Sequence, residues 1–126
     1  MATLTKHLLS KIEAISGRRF VVNANESSAA DCFHIAHDTS LDEVWLYAHN
    51  YGTSDVQLSL MLSVTGELDD AIRNATVYEG MDITIPFKSG RALILDGVLF
   101  SWAVSGYAYA TSAGDITLDG FVNRMT

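Results

Sequence analysis

The sequence contains one cysteine and one proline in 126 residues, which excludes a disulfide-stapled scaffold and a collagen-like or proline-rich fibre. Charged residues make up 18% and apolar residues 48%, the reverse of the balance in disordered chains. Long apolar runs are missing, so no transmembrane helix is predicted. The first residues also lack the apolar stretch of a signal peptide, and we therefore expect synthesis in the cytoplasm.

Negative charge dominates the composition but is unevenly distributed. The net charge of −7 argues against a nucleic-acid-binding role. Residues 1–19 nevertheless hold four basic side chains, Lys6, Lys11, Arg18 and Arg19, against the single acidic Glu13. A basic leader on an acidic body predicts an N-terminal arm, residues 1–19, that contacts a partner.

The predicted arm would contact its partner through both charge and apolar area. The candidate partner-binding residues are Leu4, Lys6, Leu8, Leu9, Lys11, Arg18 and Arg19. The alternative is that this segment packs on its own domain, as a first strand or as a short helix. Leu8, Leu9, Ile12 and Ile15 have helical spacing, which favours a helix within Lys6–Ile15.

The remaining residues, 20–126, have the pattern of short β-strands. Between Asp55 and Val64, apolar and mostly polar residues alternate, which predicts a strand with one row of side chains in the core. In this register Val56, Leu58, Leu60 and Leu62 face the core, opposite Gln57 and Ser59. Further strands at intervals of about 8–12 residues predict a single-domain, all-β antiparallel sandwich, jelly-roll-like in architecture.

Turn residues between these runs predict their connections. The link 50–54 predicts a hairpin between the strand at 43–49 and the strand at 55–64. Asp96-Gly97 predicts a second hairpin, because Asp-Gly between apolar runs is a strong hairpin signal. Glu79-Gly80 and Gly114-Asp115 likewise separate candidate strands. In the strand at 31–37, Phe33 and Ile35 are expected to alternate with His34.

Residues able to perform chemistry are present but not in catalytic or ligand-binding patterns. His34 and His37 would point to opposite faces of a strand, so they do not form a metal-binding pair. No serine lies in a nucleophile-elbow motif, and no two glycines have the spacing of a phosphate-binding loop. We therefore expect no enzymatic activity, no metal and no cofactor.

Aromatic residues offer a different possibility. Trp45 and Tyr47 are predicted on one face of a strand, opposite Val44, Leu46 and Ala48. Such rings pack in a core or subunit contact, or, if exposed side by side, form a platform for sugars. A carbohydrate-binding or host-attachment module is therefore an alternative to an assembly protein.

Three segments, SLDEVWLYAHNYGTSDVQLSLMLSVTG, DITIPF and DGFVNRMT, together with the opening MATLTKHLLS, resemble small structural proteins of tailed bacteriophages. Among these, the chain is most similar to capsid decoration (cement) proteins. The resemblance implies a non-enzymatic virion component on the outer surface of the capsid. The implied partners are the major capsid protein and further copies of the chain, with a trimer favoured. Nucleic acid and membrane are not expected as partners. A head–tail or tail position is the alternative within the virion.

Overall fold

A computed structural model describes residues 4–10, 20–26, 29–36, 41–63, 77–88, 90–100, 104–112 and 114–125. Every element in these ranges is a β-strand, and every pairing between strands is antiparallel. The described residues include no helix long and apolar enough to cross a membrane. The strands are β1 (Leu4–Leu8), β2 (Phe20–Val22), β3 (Asp31–Ile35), β4 (Leu41–Asn50), β5 (Val56–Ser63), β6 (Val77–Ile85), β7 (Arg91–Phe100), β8 (Ser105–Ala110) and β9 (Ile116–Met125).

The strands form two sheets that confirm the predicted sandwich. Sheet A has the order β1-β9-β4-β7, with β2 also paired to β9, and sheet B has the order β3-β8-β5-β6. Strand β2 therefore pairs with β9, β3 with β8, β4 with β7 and β5 with β6. This nesting is that of one long hairpin folded over itself, which is the jelly-roll arrangement.

The core lies between the two sheets and is built by alternation along the strands. In β4, Val44, Leu46 and Ala48 are buried, while Trp45 and Tyr47 on the other face are only partly covered. The facing sheet contributes Val56, Leu58 and Leu60 from β5, all buried as predicted, with Gln57 exposed on the opposite face. Burial of this apolar area is the main favourable term in folding.

The alternation in β5 weakens toward its C-terminal half. Leu62 is only partly buried, whereas Ser59 and Met61, which point away from the main core, are buried. The reason is a second, smaller apolar cluster of Ala30, Met61 and Tyr107 on the other face of sheet B. Ser59 therefore lies on the predicted opposite face and is buried there, whereas the predicted burial of Leu62 is only partial.

The link after β4 does not form the predicted hairpin. Strand β4 belongs to sheet A and β5 to sheet B, so residues 51–55 carry the chain across the sandwich. Asn50, which is buried, stabilises this crossing, since its amide nitrogen donates to the carbonyl oxygens of Ser54 at 2.9 Å and Ile85 at 2.8 Å. The prediction of a hairpin at this link is therefore wrong, because its turn residues connect two sheets instead of two paired strands.

Asp96-Gly97 is a bulge in the continuous strand β7 rather than a hairpin turn. Val44 pairs with Val98 and Trp45 with Asp96, so Gly97 is the extra residue. Its φ of 71° is the left-handed conformation that glycine supplies in a bulge of this kind. Similarly, Glu79-Gly80 does not separate two strands. Leu60 pairs with Met81 and Met61 with Glu79, so Gly80 is the extra residue of a bulge within the continuous strand β6.

Strand β3 also differs from its predicted alternation. The register shifts between Cys32 and His34, which makes Phe33 the bulged residue. Phe33 and His34 are consequently both buried, and Ile35 is exposed. The prediction that Phe33 and Ile35 share a buried face is therefore wrong, while His37 lies outside the described residues.

The N-terminal segment is partly integrated into the sandwich. Residues Leu4–Leu8 form β1, which pairs with β9 in regular register, so Lys6–Leu8 is a strand and not the start of a helix. The following residue, Leu9, is completely buried in the main core. Residues 11–19, including Lys11, Arg18 and Arg19, lie outside the described residues.

Substitution of Leu60 tests the core assignment. Leu60→Asp places an unpaired carboxylate between the sheets and should lower the free energy of unfolding by more than about 4 kcal/mol. The matched control Gln57→Asp puts the same charge on the exposed face of the same strand and should change it by less than about 0.5 kcal/mol. Denaturant titration followed by circular dichroism measures both. Equal stabilities for the two variants would contradict this register.

Candidate interaction surface

The face of sheet A that points away from the core is the candidate functional site. Its side chains come from alternate positions of four strands, β1, β9, β4 and β7, and we call this surface the outer face. Unlike the solvent face of many sandwiches, it is rich in large apolar side chains. Its apolar members are Leu4, Leu8, Leu41, Trp45, Tyr47, Leu93, Leu99, Phe121 and Met125.

An apolar row crosses three strands at the centre of the outer face. Leu8, Phe121 and Trp45 are successive cross-strand partners on β1, β9 and β4. The rings of Trp45 and Phe121 are stacked, with centroids 6.0 Å apart and planes within 8°. The Lys6 ammonium lies 4.3 Å from the centroid of the Phe121 ring, in a cation–π contact.

Glu43 fixes the orientation of this row. Its Oε1 accepts hydrogen bonds from the indole N–H of Trp45 at 2.7 Å and from the amide of Asn123 at 3.0 Å. These two donors lower the pKa of Glu43 below its usual value, so the carboxylate stays charged at neutral pH. On the side away from Phe121, the Trp45 ring packs against Gly97, where a Cβ atom would lie 3.3 Å from the ring. The rings of this apolar row are therefore held in place before any partner binds.

Aliphatic side chains extend the surface to both edges of the sheet. Leu4 on β1 is 61% exposed and Leu99 on β7 is 56% exposed. Leu8, Leu41 and Leu93 are also exposed. Scattered exposed leucines are ordinary, but several large apolar side chains on one sheet face favour an interaction surface, here divided by the polar row of Lys6, Asn123 and Glu43.

A charged cluster borders the apolar surface at the end where β4 finishes. The Arg91 guanidinium lies 3.7 Å from the centroid of the Tyr47 ring, and its Nε donates to Asp119 at 3.1 Å. A further acidic side chain, Asp96, is exposed beside Trp45, nearer the middle of the β4–β7 ladder. Charges at the border of an apolar surface favour particular partners and orientations more than they add affinity.

The structure brings together three of the predicted partner-binding residues. Leu4, Lys6 and Leu8 occupy alternate positions of β1 and lie on the outer face. Leu9 is instead buried in its own core, which corrects its assignment as a partner anchor. Leu41, Leu93, Leu99 and Phe121 also lie on the outer face, although they were not predicted as partner-binding residues. Alternation with buried residues is a signal for Leu41 and Phe121 on β4 and β9, but on β7 the two register shifts break the alternation and leave no such signal for Leu93 and Leu99.

A buried polar cluster lies on the inner side of the same sheet. Asp42 on β4 accepts hydrogen bonds from His34 Nε2 at 2.8 Å and from Arg124 Nε at 2.7 Å. Both Asp42 and His34 are fully buried. Burial alone would raise the pKa of Asp42, but the hydrogen bonds from Arg124 and His34 bring it below its ordinary value. The cluster links sheet A to β3 of sheet B.

The same cluster contains a serine, yet its geometry is not that of a nucleophile and base. The backbone N–H of Ser10 donates to His34 Nδ1 at 3.0 Å. The Ser10 hydroxyl accepts the N–H of Ile35 at 2.8 Å, so the hydroxyl oxygen is engaged with the backbone of β3 rather than with the imidazole. Within the described ranges there is no pocket and no group of three metal-ligating side chains.

Comparison with known proteins adds no relative. No protein family matches the sequence, and neither a curated protein nor a solved structure is similar to it.

Neutralising Asp42 tests the buried cluster. Asp42→Asn keeps the side-chain shape but leaves Arg124 and His34 without their carboxylate, and should lower the free energy of unfolding by about 3 kcal/mol. Asp119→Asn breaks the exposed ion pair with Arg91 and should cost less than about 1 kcal/mol. Chemical denaturation of the two variants gives the comparison. A loss at Asp42 no larger than that at Asp119 would show that the cluster does not stabilise the fold.

Proposed function

We propose that this chain is a non-enzymatic structural protein of a tailed-phage virion, most similar in role to a capsid decoration protein. In this role it binds the outside of the assembled head through the outer face of sheet A and stabilises the shell. The single observation that carries the proposal is the concentration of exposed and partly exposed apolar side chains on the outer face, among them Leu4, Leu8, Trp45 and Leu99. The resemblance of the sequence to small phage structural proteins supplies the kind of partner.

The energetics of the outer face favour a macromolecular partner. Removing apolar surface from water stabilises a complex by about 25 cal/mol per Å², and half-exposed leucines at both edges provide that area. Because Glu43 and Gly97 already position the aromatic row, little conformational entropy is lost on docking. Protein that binds only the assembled lattice stabilises that lattice by mass action.

The charges on the outer face predict which charges a partner surface carries. Glu43, Asp96 and Asp119 are acidic, and the chain as a whole carries a net charge of −7. A complementary capsid surface therefore has apolar residues opposite the leucines and Trp45, and basic residues opposite Glu43, Asp96 and Asp119. Lys6 and Arg91 are the basic side chains of this face, and they can pair with acidic groups on further copies of the chain. A trimer is the favoured assembly.

The carbohydrate-binding alternative is less well supported by the same residues. Sugar platforms use open aromatic faces, whereas the Phe121 ring is in contact with Trp45 and Lys6. The indole N–H of Trp45 already donates to Glu43. Jelly rolls occur in both viral capsid proteins and lectins, so the architecture by itself does not choose between the two functions.

Particle binding by charged variants tests the proposal. Leu8→Asp and Leu93→Asp place a carboxylate on the outer face at exposed positions, where the fold tolerates it. Each should reduce affinity for purified phage particles lacking this protein by about 30-fold or more, equivalent to about 2 kcal/mol. Gln57→Asp, with the same charge on the other sheet, should bind like the wild type.

Occupancy on the particle is measured by quantitative mass spectrometry of the washed particles. Hundreds of copies of the wild-type chain support a head position, and a handful would place it in the tail or neck. Full occupancy by both leucine variants would contradict docking through the outer face. Binding of the wild type to glycans but not to particles would favour the carbohydrate alternative.

A further inference from the structure

Ser10 joins the end of the N-terminal strand to the opposite sheet. It follows Leu9, which is fully buried, and makes two contacts with β3. Its backbone N–H donates to Nδ1 of His34 at 3.0 Å, and its hydroxyl accepts the N–H of Ile35 at 2.8 Å. The chain on sheet A is thereby held against the edge strand of sheet B.

The contact with Ser10 requires a neutral imidazole. Because Ser10 N–H is the donor, Nδ1 of His34 must offer its lone pair, and the single ring proton lies on Nε2, where it is donated to Asp42. Both ring nitrogens are thus occupied in a fully buried side chain. Among the described residues, the charged groups facing the ring are Asp42 from β4 and Arg124 from β9, while β7 contributes the uncharged Phe100 ring.

We propose that His34 is a pH-sensitive latch that holds the chain at Ser10 when neutral and releases it when protonated. A second ring proton would lie on Nδ1 and point at the Ser10 N–H, so two donors would face each other and the hydrogen bond would be lost. The bond from Nε2 to Asp42 survives protonation and gains charge. The cluster therefore breaks selectively at Ser10, on the side of the N-terminal segment.

The direction of the pH dependence follows from burial. Burial lowers the pKa of His34 below the ordinary histidine value, and the nearby Asp42 carboxylate, which acts in the opposite sense, offsets only part of this effect. A depressed pKa in the closed state means that the latch is fully stable above about pH 6.5 and weakens as the pH falls. The pKa of Asp42 is also lowered, so this carboxylate stays ionised over that range.

Release would act at Ser10, directly before residues 11–19, which lie outside the described part of the chain. That segment carries Lys11, Arg18 and Arg19, which the charge distribution predicts as partner contacts. The latch does not depend on the proposed virion function, because it is defined by contacts within one chain.

NMR on the unmodified protein tests the latch directly. Ring ¹⁵N shifts should show His34 as the neutral form with its proton on Nε2 at pH 7.5, and amide exchange should show a protected Ser10. Below about pH 6.5, the opening equilibrium at Ser10, corrected for the intrinsic effect of pH on exchange, should rise about tenfold per pH unit until the closed state is itself protonated. Amides of the central strand β5 should remain protected.

Three substitutions separate the latch from general acid destabilisation. His34→Gln should abolish the pH dependence of Ser10 exchange between pH 7.5 and 5, whereas His49→Gln, on the outer face, should preserve it. Ser10→Ala keeps the backbone N–H and should also keep the dependence. Protonation of His34 without loss of Ser10 protection would overturn the proposal, as would simultaneous loss of protection in every strand. If His34→Gln does not fold, the wild-type measurement still decides.

Discussion

The buried carboxylate of Asp42 is the constraint around which the sandwich is arranged. A charge enclosed between two sheets is tolerated only with charged or hydrogen-bonding partners, and these come from β3 and β9, far apart in the sequence. Arg124 reaches Asp42 because the two residues are direct partners in the β4–β9 ladder. A slip of one residue would turn Arg124 to the opposite face and leave the carboxylate unpaired. The register that satisfies Asp42 is therefore the one that also places Val44, Leu46 and Ala48 in the core.

That register also determines the outer face. Since side chains alternate along each strand, fixing the inner residues of β4 and β9 sets Trp45, Tyr47 and Phe121 on the other side. The sheet has β1 at one edge and β7 at the other, each with exposed leucines. The bulge at Gly97 keeps β7 paired while making room for the Trp45 ring. Structural requirements inside the sheet thus prepare an ordered apolar surface outside it.

The sequence predicts the parts of this arrangement that depend on local alternation. The core row of β5, the shared face of Trp45 and Tyr47, and the all-β class follow from a period of two. The hairpins predicted at Asp96-Gly97 and after β4 were wrong because glycine-rich reversals, bulges and crossings share the same local residues and differ only in what pairs with them. Leu4, Lys6 and Leu8 were predicted to bind a partner because of their charge or apolar character. Their presence on one face follows from their alternate positions in a strand, which was not the prediction for this segment. The hydrogen bonds that join Asp42 to His34 and Arg124 depend on the pairing of distant strands, so no local sequence spacing predicts them.

The proposed docking through the outer face of sheet A is tested most directly by a footprint of the bound protein. Hydroxyl-radical labelling, read by mass spectrometry, measures side-chain exposure for the chain free in solution and seated on phage particles. Labelling of Leu8, Trp45 and Leu99 should fall on binding, while labelling of Phe87, which is exposed beyond the end of β6, should not change. Unchanged labelling of the three outer-face residues, with protection elsewhere on the chain, would contradict docking through the outer face.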